Sequence, residues 1–175
     1  MDLSAAEKKI WDILETVADP EVPVLSVIDL GIVRNITLHS GLPGSPGERD
    51  KNVEIDITPT YSGCPAMDAI SVDIRLKLAE HGYKNTIINT VLSPAWTTDW
   101  MSAAGRKKLT AYGIAPPNPK QLVCETRLFA ESEAVQCPLC NSYHTELISR
   151  FGSTPCKALY KCQDCKEPFD YFKCH

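Results

Sequence analysis

Hydrophobic and polar positions alternate with a helical period at the start of the chain. One apolar stripe recurs at spacings of three or four residues, as in an amphipathic helix: Ala6, Ile10, Ile13, Leu14 and Val17. Ser4 and Glu7 have the spacing of a capping box, in which each side chain accepts a hydrogen bond from the other residue's backbone N–H. Because Pro20 disfavours the α conformation at Asp19, we expect this helix to end before Asp19.

Three later segments have the pattern of β-strands: residues 32–38, 52–58 and 86–92. In the second segment Val53, Ile55 and Ile57 alternate with polar residues, which predicts a sheet with one face on the core and one in water. In the third segment four of the seven residues are apolar. A run rich in glycine, proline and serine at residues 40–47 predicts the loop of a hairpin that joins the first two strands.

Two further helices are expected, at residues 66–81 and 102–112. The first should be substantially buried because it carries two apolar rows: Met67, Ile70, Ile74 and Leu78 in one, and Ala69, Val72 and Leu76 in the other. Gly82 and Gly113 follow the two helices as C-terminal stops. The order α-β-β-α-β-α predicts an α/β fold, a compact two-layer domain over residues 1–115 with a core of its own.

The cysteines divide the chain into two parts. Only one of the eight precedes residue 120; they stand at positions 64, 124, 137, 140, 156, 162, 165 and 174. We expect a linker at residues 116–134, which begins with a proline-rich stretch, and a small second domain at residues 135–175. In a reducing compartment, clustered thiols indicate metal binding more than disulfides.

Two CxxC motifs in this second domain predict a metal site. Cys137 and Cys140 are separated from Cys162 and Cys165 by 21 residues, close to the spacing of a zinc ribbon. Four thiolates complete a closed tetrahedral site for structural zinc, and the metal would supply much of the stability of so small a domain. Four cysteines also suit iron or an iron–sulfur cluster, so the identity of the metal stays open.

Three cysteines are not used by this site. Cys156 stands in a turn, where it is either a functional thiol or a structural one. Cys174 is near the end of the sequence, where fraying weighs against ordered ligation, and Cys124 is in a segment without a clear pattern.

Cys64 stands between the second strand and the second helix of the first domain. Pro65 is suited to the first position of a helix, which puts Cys64 at or beside the N-cap. The free N–H groups and the dipole of a helix N-terminus favour a thiolate there. Such a sulfur ligates iron, attacks a disulfide, or only fills a tight turn, and these alternatives stay open.

Two acidic residues and two tryptophans are further candidates. Glu21 and Asp29 lie in loops, where each is either a metal ligand or a hydrogen-bond acceptor; the second interpretation, loop structure, is favoured for both. Trp96 and Trp100 stand beside threonines and an aspartate, a composition that fits a partner-docking surface. Tryptophans folded down as a lid are the alternative.

Composition adds several exclusions. Hydrophobic residues make up 43% and charged residues 23% of the 175 positions, as in ordinary globular proteins. The net charge of -4 weighs against a nucleic-acid surface, and no apolar run approaches the ~20 residues of a membrane span. The first dozen residues carry charges of both signs and no signal peptide, so we expect a cytoplasmic protein.

Several strings of residues resemble those of known families. DPEVP at residues 19–23, DLGIV at residues 29–33 and TPTYSGCP at residues 58–65 resemble the MIP18-like domain of iron–sulfur assembly factors, over residues 5–115. Over nearly its full length the chain resembles the D-subunit family of bacterial ring-1,2-phenylacetyl-CoA epoxidases. The strings that carry this second resemblance are TYSGCP at 60–65, PAWTTDWM at 94–101, FGST at 151–154, CKALY at 156–160 and EPFDYFK at 167–173.

The resemblance implies a helper of phenylacetate breakdown rather than the oxygenase itself. In the family's multicomponent enzyme one subunit carries a di-iron centre, and the reductase carries a flavin and a [2Fe–2S] cluster. The D subunit is then a maturation factor, and the iron–sulfur reductase is its expected client. The implied cofactors are structural zinc on the four CxxC cysteines and a transient iron ion or iron–sulfur cluster at a reactive Cys64. Glu21 and Asp29 match the family's acidic loop positions, and Cys156 matches a cysteine without an assigned role.

The residues agree with one exclusion. The sequence has no flavin or nucleotide loop, no Glu-x-x-His di-iron pair and no nucleophile–base dyad, so the chain alone is not expected to be an enzyme. Three classes stay open: a metallocluster maturation factor, a thiol oxidoreductase and a non-catalytic adaptor of the oxygenase. The expected partners are epoxidase components, without nucleic acid or membrane, and a homodimer is compatible with the sequence.

Overall fold

The computed structural model of the protein describes residues 4–39, 52–117 and 135–173. The hairpin loop expected at residues 40–47, most of the linker, Cys124 and Cys174 lie outside these described residues. Contacts within the chain separate two units, Met1–Trp96 and Thr97–His175. No helix in the described ranges has the length and apolar character needed to cross a membrane.

The first unit has the element order α-β-β-α-β. It consists of α1 (Ala5–Leu14), β1 (Val33–His39), β2 (Asn52–Ile57), α2 (Ala66–Glu80) and β3 (Asn85–Thr90). β1 and β2 pair antiparallel, whereas β2 and β3 pair parallel and are joined by α2 as the crossover. These elements are the ones that the sequence predicts, with small differences at their ends.

The capping box predicted for α1 is confirmed. The backbone N–H of Glu7 donates to Ser4 Oγ at 3.2 Å, and the backbone N–H of Ser4 donates to Glu7 Oε2 at 2.8 Å. Each bond satisfies an N–H group that the helix itself leaves without a partner. Contacts between neighbouring residues therefore fix the start of α1.

One face of the first sheet carries the core, and the other is polar. Val53, Ile55 and Ile57 of β2 are at most 1% exposed. On the opposite face, the side-chain amide of Asn89 donates to Glu54 at 2.7 Å and to Asp56 at 3.1 Å. The alternation along β2 therefore separates core from water, as predicted.

Helix α2 is buried on one face only, which corrects the expectation of two buried rows. The buried residues recur every fourth position: Ala66, Ile70, Ile74 and Leu78. Val72 and Leu76 of the other row are 50% and 56% exposed. The reason is geometric: a helix that covers one face of a single sheet buries one stripe, whatever residues its opposite face carries.

The second unit begins earlier than the sequence predicts. It contains a short 3₁₀ turn (Thr98–Trp100), α3 (Ala103–Tyr112), β4 (Ile114–Ala115), β5 (Thr145–Ser149), β6 (Lys157–Cys162) and β7 (Pro168–Phe172). The strand order is β4-β7-β6-β5, and β4 pairs parallel with β7. Because β4 is hydrogen-bonded into the cysteine-rich sheet, the division falls after Trp96 instead of after residue 115.

A small aromatic core supports the second sheet. The Tyr160 ring stacks on Phe169 at 5.9 Å between centroids and meets Tyr171 edge-on at 5.7 Å. Cys137 and Cys162 are fully buried members of the same cluster. Two residues of the CxxC motifs are therefore part of the hydrophobic core of this unit.

A matched pair of substitutions on α2 tests this description of its burial. Ile74→Ala should lower the free energy of unfolding by about 2–5 kcal/mol, because it leaves a cavity in the core. Leu76→Ala should change it by no more than about 0.5 kcal/mol, because that side chain is exposed. Urea denaturation followed by circular dichroism measures both values, and comparable losses in the two variants would show that the second face is buried as well.

Candidate functional site

The structure brings together the four cysteines of the CxxC motifs. The Sγ atoms of Cys137, Cys140, Cys162 and Cys165 all lie within 4.8 Å of one another. The Cys137 and Cys165 sulfurs are 3.8 Å apart, and the Cys140 and Cys162 sulfurs are 3.5 Å apart. Four Zn–S bonds of about 2.3 Å in a tetrahedron require sulfurs about 3.8 Å apart. The spacing therefore fits a tetrahedral thiolate site.

The two CxxC motifs have the same backbone geometry, and we call each of them a knuckle. In the first, the N–H of Cys137 donates to the carbonyl of Ser142 at 2.8 Å; in the second, the N–H of Cys162 donates to Glu167 at 3.0 Å. The residue after each second cysteine, Asn141 or Lys166, is in the left-handed region with φ of 63° or 67°. These turns direct two sulfurs from each knuckle toward one point.

The four sulfurs cannot all lose their protons without repelling one another unless a cation lies between them. Although burial raises the pKa of Cys162, N–H groups of Cys165 and Asp164 and neighbouring thiols lower it to about 6. The N–H of Glu167 lowers the pKa of Cys165, but burial and the other sulfurs outweigh it and raise that pKa to about 12. A divalent cation removes this repulsion by neutralising the thiolates. The donor set therefore fits a metal ion.

Cys156 is not one of these ligands. It is 5% exposed, and its Sγ lies 3.0 Å from Thr154 Oγ1. Its carbonyl accepts from the backbone N–H of Lys173 at 2.9 Å, next to the end of β7. The residue is thus a buried thiol in a turn, and a functional role for it remains a prediction.

Cys64 lies in the turn between β2 and α2, beside the N-cap of the helix, as the sequence predicts. Pro65 occupies the N-cap of α2, so Cys64 immediately precedes the cap. Its side chain is half-buried, and the backbone N–H of Ala66 donates a hydrogen bond to its sulfur. The start of the helix therefore contacts the sulfur, as expected for this turn.

The net electrostatic effect on Cys64 is opposite to the expected one. Burial is the largest influence and raises the pKa of the thiol, and the carboxylates of Glu21 and Asp19 raise it further. The Ala66 N–H and the Tyr61 hydroxyl lower it, but by less. The helix terminus does favour the thiolate, as predicted, yet burial and the two carboxylates outweigh it. Cys64 is therefore a neutral thiol at neutral pH.

Asp19 is a site residue that the sequence reasoning missed. Its Oδ1 accepts from the backbone N–H groups of Glu21 at 2.8 Å and Val22 at 2.7 Å. This turn fixes the backbone that carries Glu21, and both carboxylates act on Cys64. The available signal was the Asp-Pro-Glu string itself, because an aspartate before such a turn commonly accepts from the N–H groups that follow it.

Asp29 takes part in a different arrangement. It is 2% exposed, its Oδ2 accepts from the backbone N–H of Ser26 at 3.2 Å, and its own N–H donates to Ser26 Oγ at 3.0 Å. This reciprocal pair closes the loop before β1. These contacts support the interpretation of Asp29 as loop structure rather than as a ligand.

The two tryptophans have different surroundings. Trp96 is 3% exposed, and its indole N–H donates to the Leu30 carbonyl at 2.9 Å. This burial argues against Trp96 as a docking anchor and favours the folded-down alternative. Trp100 is half-buried, and partner docking remains a prediction for it alone.

Two family models match the chain in separate regions. The model described as PaaD zinc beta ribbon domain matches residues 123–173. The model described as iron-sulfur cluster assembly protein matches residues 7–82. The first region contains the four close cysteines, and the second contains Cys64, Glu21 and Asp19.

Curated relatives and a solved structure also match the chain. The Escherichia coli (strain K12) protein named as the D subunit of a putative 1,2-phenylacetyl-CoA epoxidase is 46% identical over 95% of this chain and 92% of its own length. A Porphyromonas gingivalis protein named Fe-S protein maturation auxiliary factor is 36% identical over 55% of this chain and 83% of its own. The crystal structure of a domain of unknown function (DUF59) from Bacillus anthracis is 29% identical with a TM-score of 0.51, over 60% of this chain and 92% of that one.

Alkylation of Cys64 tests the electrostatics of its surroundings. Iodoacetamide should modify the residue slowly at neutral pH and faster only at alkaline pH, because the raised pKa keeps the thiol protonated. Glu21→Gln removes one carboxylate, lowers the pKa and should speed the neutral-pH reaction about two- to fivefold. Mass spectrometry of the peptide that contains Cys64 measures the rate.

The control for this experiment is Asp12→Asn, which makes the same change of charge on α1. Its alkylation rate should equal that of the unsubstituted protein. Rapid neutral-pH modification of the unsubstituted protein, or an equal acceleration in the control, would contradict the assigned role of the two carboxylates.

Proposed function

Because the chain belongs to the family of 1,2-phenylacetyl-CoA epoxidase D subunits, we propose that it is an accessory maturation factor of this multicomponent enzyme in aerobic phenylacetate degradation. Its task is to assist assembly of an iron–sulfur cluster, or of iron, in a client subunit. The iron–sulfur reductase is the first candidate client. The names of the two curated relatives, one an epoxidase subunit and one an Fe-S maturation factor, support this direction. The chain itself has no catalytic turnover in this proposal.

The surroundings of Cys64 are the observation that carries the proposal. A half-buried thiol opposed by the carboxylates of Glu21 and Asp19 is a poor nucleophile at neutral pH. An Fe²⁺ ion reverses this balance, because it is attracted by both carboxylates and replaces the proton on the sulfur. The groups that weaken Cys64 as a nucleophile thus favour it as a ligand for a cation.

An open site suits transient holding. Among the described residues, only the four knuckle cysteines form a group of three or more ligand atoms within 4.8 Å of one another. Cys64 and its two carboxylates therefore do not form a complete cage. A cation held by few protein ligands keeps coordination positions for ligands of a client. Holding followed by transfer is the behaviour required of a maturation factor.

The four-cysteine site has a separate role in this proposal. We assign it to structural zinc, which has tetrahedral preference and no redox chemistry of its own. A closed site of this kind stabilises the fold of the second unit, since two of its cysteines also belong to the aromatic core. Iron is then handled in the first unit and zinc in the second.

Two alternatives to a maturation factor differ in how well they fit the surroundings of Cys64. A thiol oxidoreductase needs an attacking thiol of low pKa and a resolving cysteine, whereas the pKa of Cys64 is raised and no other cysteine precedes residue 120. A non-catalytic adaptor of the epoxidase is the stronger alternative. An adaptor would purify with the oxygenase in fixed stoichiometry, while a maturation factor associates transiently, in either case through a surface that includes Trp100. Either role is exercised in the cytoplasm.

Cys64→Ser tests the proposal in cells. Serine is close to cysteine in size and is compatible with a helix start, so the variant should fold like the unsubstituted protein. Cells that carry it should accumulate epoxidase reductase that lacks most of its iron and acid-labile sulfide, and should lose growth on phenylacetate. The measurement is the iron and sulfide content of reductase purified from both strains.

Cys156→Ser is the matched control, because it makes the same thiol-to-hydroxyl exchange in the other unit. Reductase from this strain should contain its full cluster. Equal cluster content in the Cys64→Ser strain and the unsubstituted strain would leave Cys64 as a turn residue. A complete reductase beside an oxygenase that lacks iron would instead identify a different client.

A further inference from the structure

Two polar residues connect the knuckles through a side-chain hydrogen bond that does not involve the sulfur atoms. Ser142 follows the first knuckle, and Asp164 lies inside the second. The Ser142 hydroxyl donates to Asp164 Oδ2 at 2.5 Å, a short hydrogen bond to a carboxylate. His144 Nδ1 lies 3.1 Å from Asp164 Oδ1, and the backbone N–H of His144 donates to Ser142 Oγ at 2.9 Å. We refer to the Ser142–Asp164 pair as the clasp.

The backbones of the same two residues contact the ligand sulfurs. The N–H of Ser142 donates to the sulfur of Cys140, and the N–H of Asp164 donates to the sulfur of Cys162. These two sulfurs are 3.5 Å apart. A closed ring of contacts therefore runs from one sulfur through Ser142 and Asp164 to the other sulfur. Each knuckle contributes one ligand to this ring. Of the clasp residues, Asp164 lies inside the second knuckle and Ser142 lies two positions after the first.

We propose that Ser142 and Asp164 are positioning residues of the metal site, which hold two N–H donors on the sulfurs and thereby set how long zinc is retained. The ligands come from two separate knuckles, so zinc leaves readily once the knuckles separate. The clasp ties these knuckles together next to the ligands. Groups that orient metal ligands typically change metal affinity by about 10- to 100-fold. The inference rests on the proposed zinc occupancy and is independent of the role of Cys64.

The rate of zinc release tests the clasp. Full-length protein loaded with zinc is mixed with excess 4-(2-pyridylazo)resorcinol, and formation of the coloured complex is followed. Ser142→Ala and Asp164→Ala should each release zinc about 10-fold faster than the unsubstituted protein. The effects of the two substitutions should be far from additive in the double variant, because both remove the Ser142–Asp164 hydrogen bond.

Glu146→Ala is the matched control for these variants. Glu146 accepts a hydrogen bond at 2.8 Å from the side chain of Gln163, which also lies inside the second knuckle, but it contacts neither N–H donor of the ring. Its release rate should equal that of the unsubstituted protein. Equal rates in all variants, equal acceleration in the control, or additive effects in the double variant would each overturn the inference.

Spectra of the Co²⁺-loaded proteins separate positioning from general destabilisation. The sulfur-to-cobalt charge-transfer band responds to N–H donors on the sulfur, so it should shift in Ser142→Ala and Asp164→Ala. It should return toward its original position in Ser142→Thr, which restores the hydroxyl, and stay unshifted in Glu146→Ala. Unshifted bands in both alanine variants would overturn the inference. If the unsubstituted protein bound no zinc, both the zinc assignment and the proposed role of the clasp would be wrong. If the loaded variants released zinc at the unaltered rate, only the proposed role of the clasp would be wrong.

Discussion

Burial and the carboxylates of Glu21 and Asp19 oppose ionisation of Cys64, and the fold fixes the backbone on both sides of this interaction. On one side, Pro65 caps α2 directly after the cysteine. On the other, Asp19 holds the turn that carries Glu21. Loss of the thiol proton would add a negative charge to a partly buried region in which two carboxylates already act on the sulfur. Either a proton or a metal cation on the sulfur neutralises this charge. The proposed function follows from binding of a metal cation.

The two units thus offer metal ions opposite kinds of environment. In the second unit four sulfurs from two knuckles approach one point, and N–H donors surround them. Such a closed site retains its ion and stabilises the fold. In the first unit we propose that iron is held at a single half-buried sulfur, on which two carboxylates act electrostatically. A chain that keeps one metal and passes on another needs both kinds of site, and the proposed role in cluster maturation uses the two in this way.

Features encoded by neighbouring residues could be predicted from the sequence, and features that depend on distant contacts could not. The capping box, the alternation along β2 and each single CxxC motif can be recognised from residues a few positions apart. The exposed row of α2 and the buried Trp96 depend on which surfaces the rest of the unit covers. The raised pKa of Cys64 comes from burial and from carboxylates in an earlier loop, whereas the sequence shows only the adjacent helix terminus. Likewise, β4 joins the second unit through pairing with the distant β7.

Metal and acid-labile sulfide analysis of anaerobically purified protein distinguishes a retained metal in the second unit from a transferred metal in the first. The comparison is between the unsubstituted chain and Cys64→Ser, both produced in iron-replete cells. The account predicts about one equivalent of zinc in both proteins, as expected for a single four-cysteine site. It predicts iron, with or without sulfide, only in the chain that retains Cys64. Equal iron in the two proteins, or iron and sulfide in place of the zinc, would contradict the separation of a retained metal from a transferred one.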